Sequence, residues 1–261
     1  MLQADSEYAR PLARPLSRPR KGWLRTAVLA AVGLLLAGTG PAVAVQIIPL
    51  SGRQVVSVDA AATFGPQTDS ANDSLESLTT AAFFGSVMAS AATNGSAGSA
   101  FASQSSEVTP TSIRGFGSST GAAVHPGAGA SADVDGETLY RLEFQVDLPS
   151  SFQIDLHLTV ANDSASDTRA SFTLFENGVG MLFDRDLSGN EDQVIFGAFS
   201  PGVVYGIEAL AHTRLFSGSP GVTSAAGSSG FDFTLVLPEP TSALLVGLGI
   251  LGLGLAGHRR A

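Results

Sequence analysis

From Gly136 to Leu237 the chain alternates apolar and polar residues in short runs. Leu142, Phe144, Val146 and Leu148 interleave with Arg141, Glu143, Gln145 and Asp147. That period of two gives a strand one apolar and one polar face. Pro149-Ser150 turns the chain, and Phe152, Ile154, Leu156, Leu158 and Val160 then alternate with Gln153, Asp155, His157 and Thr159. A turn across Asn162–Asp167 leads to a strand begun by Phe172 and Leu174, which Asn177-Gly178 closes as a tight-turn dipeptide. Val179–Phe183 and Gln193–Phe196 flank an acidic loop. Val203, Tyr205, Ile207, Ala209 and Ala211 form a further strand after Pro201-Gly202, and Phe231, Phe233, Leu235 and Leu237 form the last. Short alternating strands separated by turn residues predict an all-β chain, an antiparallel, jelly-roll-like β-sandwich over 98–237. About 20 large apolar side chains, each stabilising by ~1.5–3 kcal/mol when buried, suffice for its core.

The stretch 45–97 reads differently. It is rich in Ala, Ser, Gly and Thr, and its expected state is partly irregular. Val55–Val58 and Ser112–Phe116 are strand candidates. Leu75–Ala92 fits helix and strand periods equally, and Gly95–Gly98 and Gly115–Gly129 read as loops. No repeat of fixed period is present.

Charge changes the picture. The whole chain has a net charge of −9, but its first 44 residues carry six bases and two acids. Between Val45 and Leu237 there are 20 acids against six arginines, a net charge of −14. So acidic a body repels phosphate backbones, which argues against nucleic acid as a partner. The absence of cysteine removes disulfides, thiolate catalysis and thiolate metal sites.

Both ends carry targeting features. The basic leader precedes an apolar run from Ala27 to Ala37, which Gly38, Gly40 and Pro41 interrupt. Ala42-Val43-Ala44 then supplies the small residues required for cleavage after Ala44. Residues 1–44 are therefore expected to be a signal peptide, its helix removed by signal peptidase. At the other end, Leu237-Pro238-Glu239-Pro240-Thr241-Ser242 precedes an apolar run from Ala243 to Gly257, followed by His258-Arg259-Arg260-Ala261. The two prolines keep the motif extended and open to a processing enzyme. As a helix the run 243–257 spans roughly 25 Å against a hydrocarbon core of about 30 Å, and it holds four glycines that weaken the helix, so it suits a transient anchor. Arg259 and Arg260 remain on the cytoplasmic side.

Pro238-Glu239-Pro240, one short apolar helix and terminal Arg259-Arg260, in that order over 238–261, resemble the PEP-CTERM sorting signal. The resemblance implies recognition by an exosortase-like transpeptidase, a transient membrane stage through the C-terminal helix, and then a cell-surface or extracellular destination. It also associates such cargoes with exopolysaccharide and biofilm. The residue before the motif is Leu237 where the family usually has Val. The resemblance is confined to the tail and leaves the role of the body open.

Candidate chemistry in the body is sparse. Asp184, Asp186, Ser188, Asn190 and Asp192 place oxygens at a calcium-loop spacing with Gly189 at its sixth position, but position 12 is Ile195 in place of the bidentate glutamate. Gly117-Ser118-Ser119-Thr120-Gly121 matches a nucleophile-elbow spelling without the helix that must follow it. Gly247–Gly252 spells a dinucleotide fingerprint inside the terminal apolar run, where small-residue helix packing explains it. His125, His157, His212 and His258 show no ligand spacing. The three Asn-X-Ser sequons at Asn72, Asn94 and Asn162 read as surface turns. Beyond the leader there is no Trp and only Tyr140 and Tyr205 remain, which disfavours the aromatic platforms of sugar-binding proteins. The reading is an exported, sorted, non-enzymatic structural protein with no required cofactor. The alternatives are a secreted polysaccharide hydrolase, which needs a carboxylate pair in a cleft, and a calcium-dependent adhesin or glycan-binding module, which needs a metal in the 184–192 loop.

Overall fold

The structure is a computed structural model that describes residues 44–125, 127–162, 166–187, 189–218 and 223–238. These residues form β1 (Ile47–Phe64), β2 (Gln67–Ser77), β3 (Phe83–Ala92), β4 (Ala97–Val108), β5 (Ser112–Val124), β6 (Ala130–Val146), β7 (Ser150–Asn162), β8 (Ser166–Glu176), β9 (Gly180–Leu187), β10 (Glu191–Phe199), β11 (Tyr205–Ser217) and β12 (Ser224–Val236). One six-stranded sheet has the order β2-β1-β6-β11-β8-β9, the other β10-β7-β12-β5-β4-β3. Every pairing is antiparallel. The alternation in the sequence does what it must: each sheet turns its apolar face to the other, giving an all-β sandwich. Within it, β5 to β12 are wired with β5, β12, β7 and β10 adjacent in one sheet and β6, β11, β8 and β9 adjacent in the other. β4-β3 and β1-β2 extend these two sets at one side.

The core has two parts. One is aromatic and branched, and includes Tyr140, Phe144, Phe172, Phe199, Phe231 and Phe233. Phe152 stacks on Phe199 at 4.2 Å between ring centroids, and Tyr140 and Phe172 tilt against Phe233 at 5.4 and 5.1 Å. The other is built mainly of Ala and Val from β1, β3, β4, β5, β6 and β12, with Leu215 of β11. Along β5, β6 and β11 a buried polar residue, Ser119, Thr138 or Thr213, separates them. Ser119 Oγ donates to Gly136 O at 2.8 Å, and Thr213 Oγ1 donates to Ser119 O at 3.2 Å. These bonds satisfy hydroxyls whose burial would otherwise cost about 1–3 kcal/mol each.

Two expectations are corrected and one open reading is resolved. Segment 45–97 is not partly irregular: it supplies β1, β2 and β3, and β1 pairs along β6 from Ile47↔Val146 to Phe64↔Ala130. Leu75–Ala92 resolves into the end of β2, a loop and β3. Gly115–Gly129, expected as loop, is largely β5. The reason is shared. Many inward positions in these strands are Gly, Ala or Ser, and their burial comes from the opposite sheet or the neighbouring strand. Gly117 lies opposite Phe231 and Gly115 opposite Phe233, with the rings lying over the glycines. At the strand ends, β6 stops at Val146, leaving Leu148 in an exposed turn, and β11 starts at Tyr205, after Val203. Asn177-Gly178 is a turn as predicted, with Gly178 at φ 87°, a conformation that favours glycine.

The registers define two poles. At one lie the turns 109–111, 147–149, 177–179 and 200–204. At the other lie the turns after Phe64, Ala92 and Val124. Both ends of the described fold are at the first pole. Ile47 N donates to Pro110 O at 2.7 Å, and Leu237 N donates to Thr111 O at 2.9 Å.

Candidate functional site

Polar chemistry lies on the two outer faces of the sandwich, because alternation sends every second side chain outward. On the outer face of the β10-containing sheet, register places His157 of β7 directly between Asp192 of β10 and Asp232 of β12. His157 Nδ1 hydrogen-bonds Asp192 Oδ1. Asp155, two residues along β7, shares the face, and these residues with Val194 and Thr234 line an open depression. The same row continues through Phe116, Ser105 and Phe84.

The outer face of the other sheet carries a second acidic depression, formed by Asp59, Asn72, Asp133, Asp135 and Arg214. Asp59 of β1 and Asp135 of β6 face each other directly. Opposed like charges destabilise a strand pair, and nearby cations offset this. Arg214 lies 3.9 Å from Asp133, and His212 Nε2 lies 3.2 Å from Asp135 Oδ1. The hydrogen bond to Asp135 raises the His212 pKa above its ordinary value and outweighs the opposing effect of burial.

The residues singled out as a calcium loop are dispersed. Asp184 and Asp186 sit on β9 opposite Thr173 and Ser171, on the outer face of one sheet, and Thr173 Oγ1 donates to Asp184 Oδ1 at 2.8 Å. Asp192 points from the outer face of the other sheet to His157. Asn190 Oδ1 accepts the N–H of Val160 at 2.8 Å, and Arg185 pairs with Glu191 at 3.4 Å. Ser188 lies outside the described residues. Among the described residues no group of three or more His, Asp or Glu is close enough to hold a metal ion.

Ser119 lies on β5 with 0% exposure, its hydroxyl committed to Gly136 O. That placement leaves no access for a substrate. His125 is buried beside Gly127 O at 3.2 Å. Of the sorting motif, Pro238 is exposed immediately after buried Leu237. Glu239, Pro240, Arg259 and Arg260 lie outside the described residues, as do helix 243–257 and Ala42 of the cleavage site. Ala44 is exposed and Val45 is buried. Among the described residues no helix is long and apolar enough to cross a membrane.

Sequence reasoning missed the Asp192–His157–Asp232 row. Alternation alone puts His157, Asp155 and Asp232 on polar faces. It does not reveal that β7 lies between β10 and β12, so the row was invisible until the strand order was known.

No protein-family profile matches the chain, and no curated protein does. Among solved structures, an α-xylosidase of glycoside hydrolase family 31 from Xanthomonas citri aligns at 8% identity and a TM-score of 0.19. That alignment covers 61% of this chain and 33% of the xylosidase, so the chain spans about a third of that protein's length. The infectious bursal disease virus Gt strain structure aligns at 10% identity over 78% of this chain and 68% of that one, TM-score 0.17. The VP2 subviral particle of the same virus aligns at 10% identity over 85% and 76%, TM-score 0.16. At such scores none of these likenesses bears on fold or activity.

Proposed function

We propose that this chain is an exported, exosortase-sorted protein of the cell surface or extracellular matrix. Its β-sandwich body has a structural rather than catalytic role, in company with exopolysaccharide. What carries the reading is the order of features along the sequence: a basic leader with an apolar run ending at Ala42-Val43-Ala44, then the body, then Pro238-Glu239-Pro240, a second apolar run and Arg259-Arg260. Between them the described residues form a two-sheet sandwich, with buried residues from Val45 to Leu237. Two further features support a non-catalytic body. The carboxylates lie on open sheet faces, with no deep cleft around them among the described residues, and the only serine in a nucleophile-like spelling is bonded inside the core. The wiring of β5 to β12 supports reading the body as a jelly roll, a fold of two interlocked Greek keys.

The test is to replace Pro238-Glu239-Pro240 by alanines in a host that carries an exosortase. The expected outcome is normal export, with the uncleaved protein retained in the membrane fraction. Identical mass and fractionation of variant and wild type would remove the sorting reading.

A further inference from the structure

The pole at which the described body begins and ends combines short turns with exposed apolar side chains. Its turns are Thr109-Pro110-Thr111, Asp147-Leu148-Pro149, Asn177-Gly178-Val179 and Ser200–Val204, among which only Asp147 is charged. That carboxylate is engaged locally: its Oδ1 accepts the N–H of Gln46 at 2.7 Å. Glu107, Arg114 and Glu176 flank these turns on β4, β5 and β8. The same end exposes large apolar side chains. Val179 is 73% exposed, Met181 69%, Leu50 46%, Ile48 44%, and Leu148 and Val236 38% each. None of the described residues covers them.

The tail beyond Leu237 decides the occupant. Five residues, 238–242, separate the last buried residue from the apolar run 243–257. Fully extended they reach at most about 17 Å. The sandwich, with β1 of 18 residues, is roughly 55 Å long. A body held by so short a link cannot turn its opposite end to the bilayer.

We propose that this pole is a lipid-facing surface. While the tail is uncleaved, Leu148, Val179 and their apolar neighbours rest in the interfacial region of the membrane, and the acidic sheet faces stand off it. The proposal rests on the reading of 243–257 as a membrane helix. The chemistry fits a bilayer: apolar tips gain by leaving water at the headgroup boundary, and their weak total area makes the contact depend on the anchor. Once the tail is cut, the pole alone does not hold the protein.

The chain has no cysteine, so single labels report cleanly. L148C and V179C at this pole, and A128C in the β5–β6 turn at the other, are each labelled with a polarity-sensitive fluorophore in the full-length chain. The labelled chains are reconstituted into phosphatidylcholine vesicles, and circular dichroism checks that each retains its β fold. The expected result is a blue-shifted emission at 148 and 179, quenched severalfold more than at 128 by lipids with a spin label high on the acyl chain. A vesicle-bound chain with all three labels equally exposed to water overturns the pole contact and leaves the anchor standing. A chain that does not associate with vesicles at all overturns the anchor reading and the proposal with it. Shielding of 148 and 179 without vesicles also overturns it, because the pole would then be covered by a second copy of the chain.

Discussion

Ile47, the first residue of β1, and Leu237, the residue after β12, hang from neighbouring carbonyls: Ile47 N donates to Pro110 O and Leu237 N to Thr111 O. One turn, between β4 and β5, therefore clasps both ends of the fold. Val45 continues this closure, with its side chain buried in the aromatic half of the core.

On the export proposed above, that closure predicts an order of events. A signal peptidase needs an extended, accessible chain around the bond it cuts. In the folded body Ala44 is exposed, but Val45 on the other side of the bond is only 8% exposed and packed. The proposed cut after Ala44 is therefore expected to come before docking of the β1 end. Purified signal peptidase is expected to cut the unfolded precursor between Ala44 and Val45, giving Val45 as the new N-terminus, and to cut the folded precursor far more slowly. Equal rates on the two forms would show that Val45 is not held.

The inside–outside assignment of β7 is tested by neighbours. Leu156 is 4% exposed and lies opposite Phe233, whereas Asp155 faces solvent. Leu156→Asp places an unpartnered carboxylate in the core, a cost of several kcal/mol against a total stability of about 5–15 kcal/mol. Its cooperative melt is expected to disappear, while that of Asp155→Ser stays close to the wild type. Similar melts for the two variants would contradict the assignment.

The glycines of β5 make a second packing test. A Cβ on Gly117 would sit 2.4 Å from the Phe231 ring and 2.9 Å from Thr138 Cγ2. Phe231 is 1% exposed, so its ring has nowhere to go. Gly117→Ala is expected to lower stability by about 1–3 kcal/mol, as overpacking does. At Gly127 a Cβ would meet nothing within 4 Å, so Gly127→Ala serves as the control and is expected to leave the denaturation midpoint unchanged. A neutral Gly117→Ala would mean that the ring does not cover the glycine.

These cases mark what the sequence makes legible. Strands such as β7 and β12 carry large residues at alternate positions, and a period of two in large side chains can be read directly. β5 hides the same period behind Ile113, Gly115, Gly117 and Ser119, because its inward face is filled by Phe231 and Phe233 of the neighbouring strand. β1 resembles it, with Ala60 and Ala62 buried in a cluster of Ala and Val residues with Leu215. Where small residues pack on small residues, composition imitates a linker, and only the pairing partner reveals the strand. The outer-face sites were half legible. Alternation places His157 on a polar face, but Asp192 and Asp232 become its neighbours, and Asp135 the neighbour of His212, only through strand order.

His212 offers a prediction with a definite sign. It lies on β11 opposite Glu137 of β6 on one side and Arg169 of β8 on the other, with Asp135 bonded to its Nε2 at 3.2 Å. The His212 side chain is largely shielded, whereas Asp135 is more open to solvent. The bond to Asp135 raises the imidazole pKa; burial and Arg169 oppose it, and the nearby charges of Asp135 and Glu137 reinforce it. A raised folded-state pKa means that the folded protein holds the proton more tightly than the unfolded chain. The resulting stabilisation is complete below the unfolded value of about 6.5 and fades as pH rises through the higher folded value. Relative to His212→Gln, which cannot take up the proton, the wild type is expected to be most favoured under mildly acidic conditions and to lose that advantage as the solution becomes alkaline. Urea unfolding of both proteins across this range reads the difference directly. Asp135→Asn should remove most of it, because the bonded carboxylate is its main source. If the difference between wild type and His212→Gln instead grows with pH, the proton is disfavoured in the fold, and burial rather than the Asp135 bond governs His212.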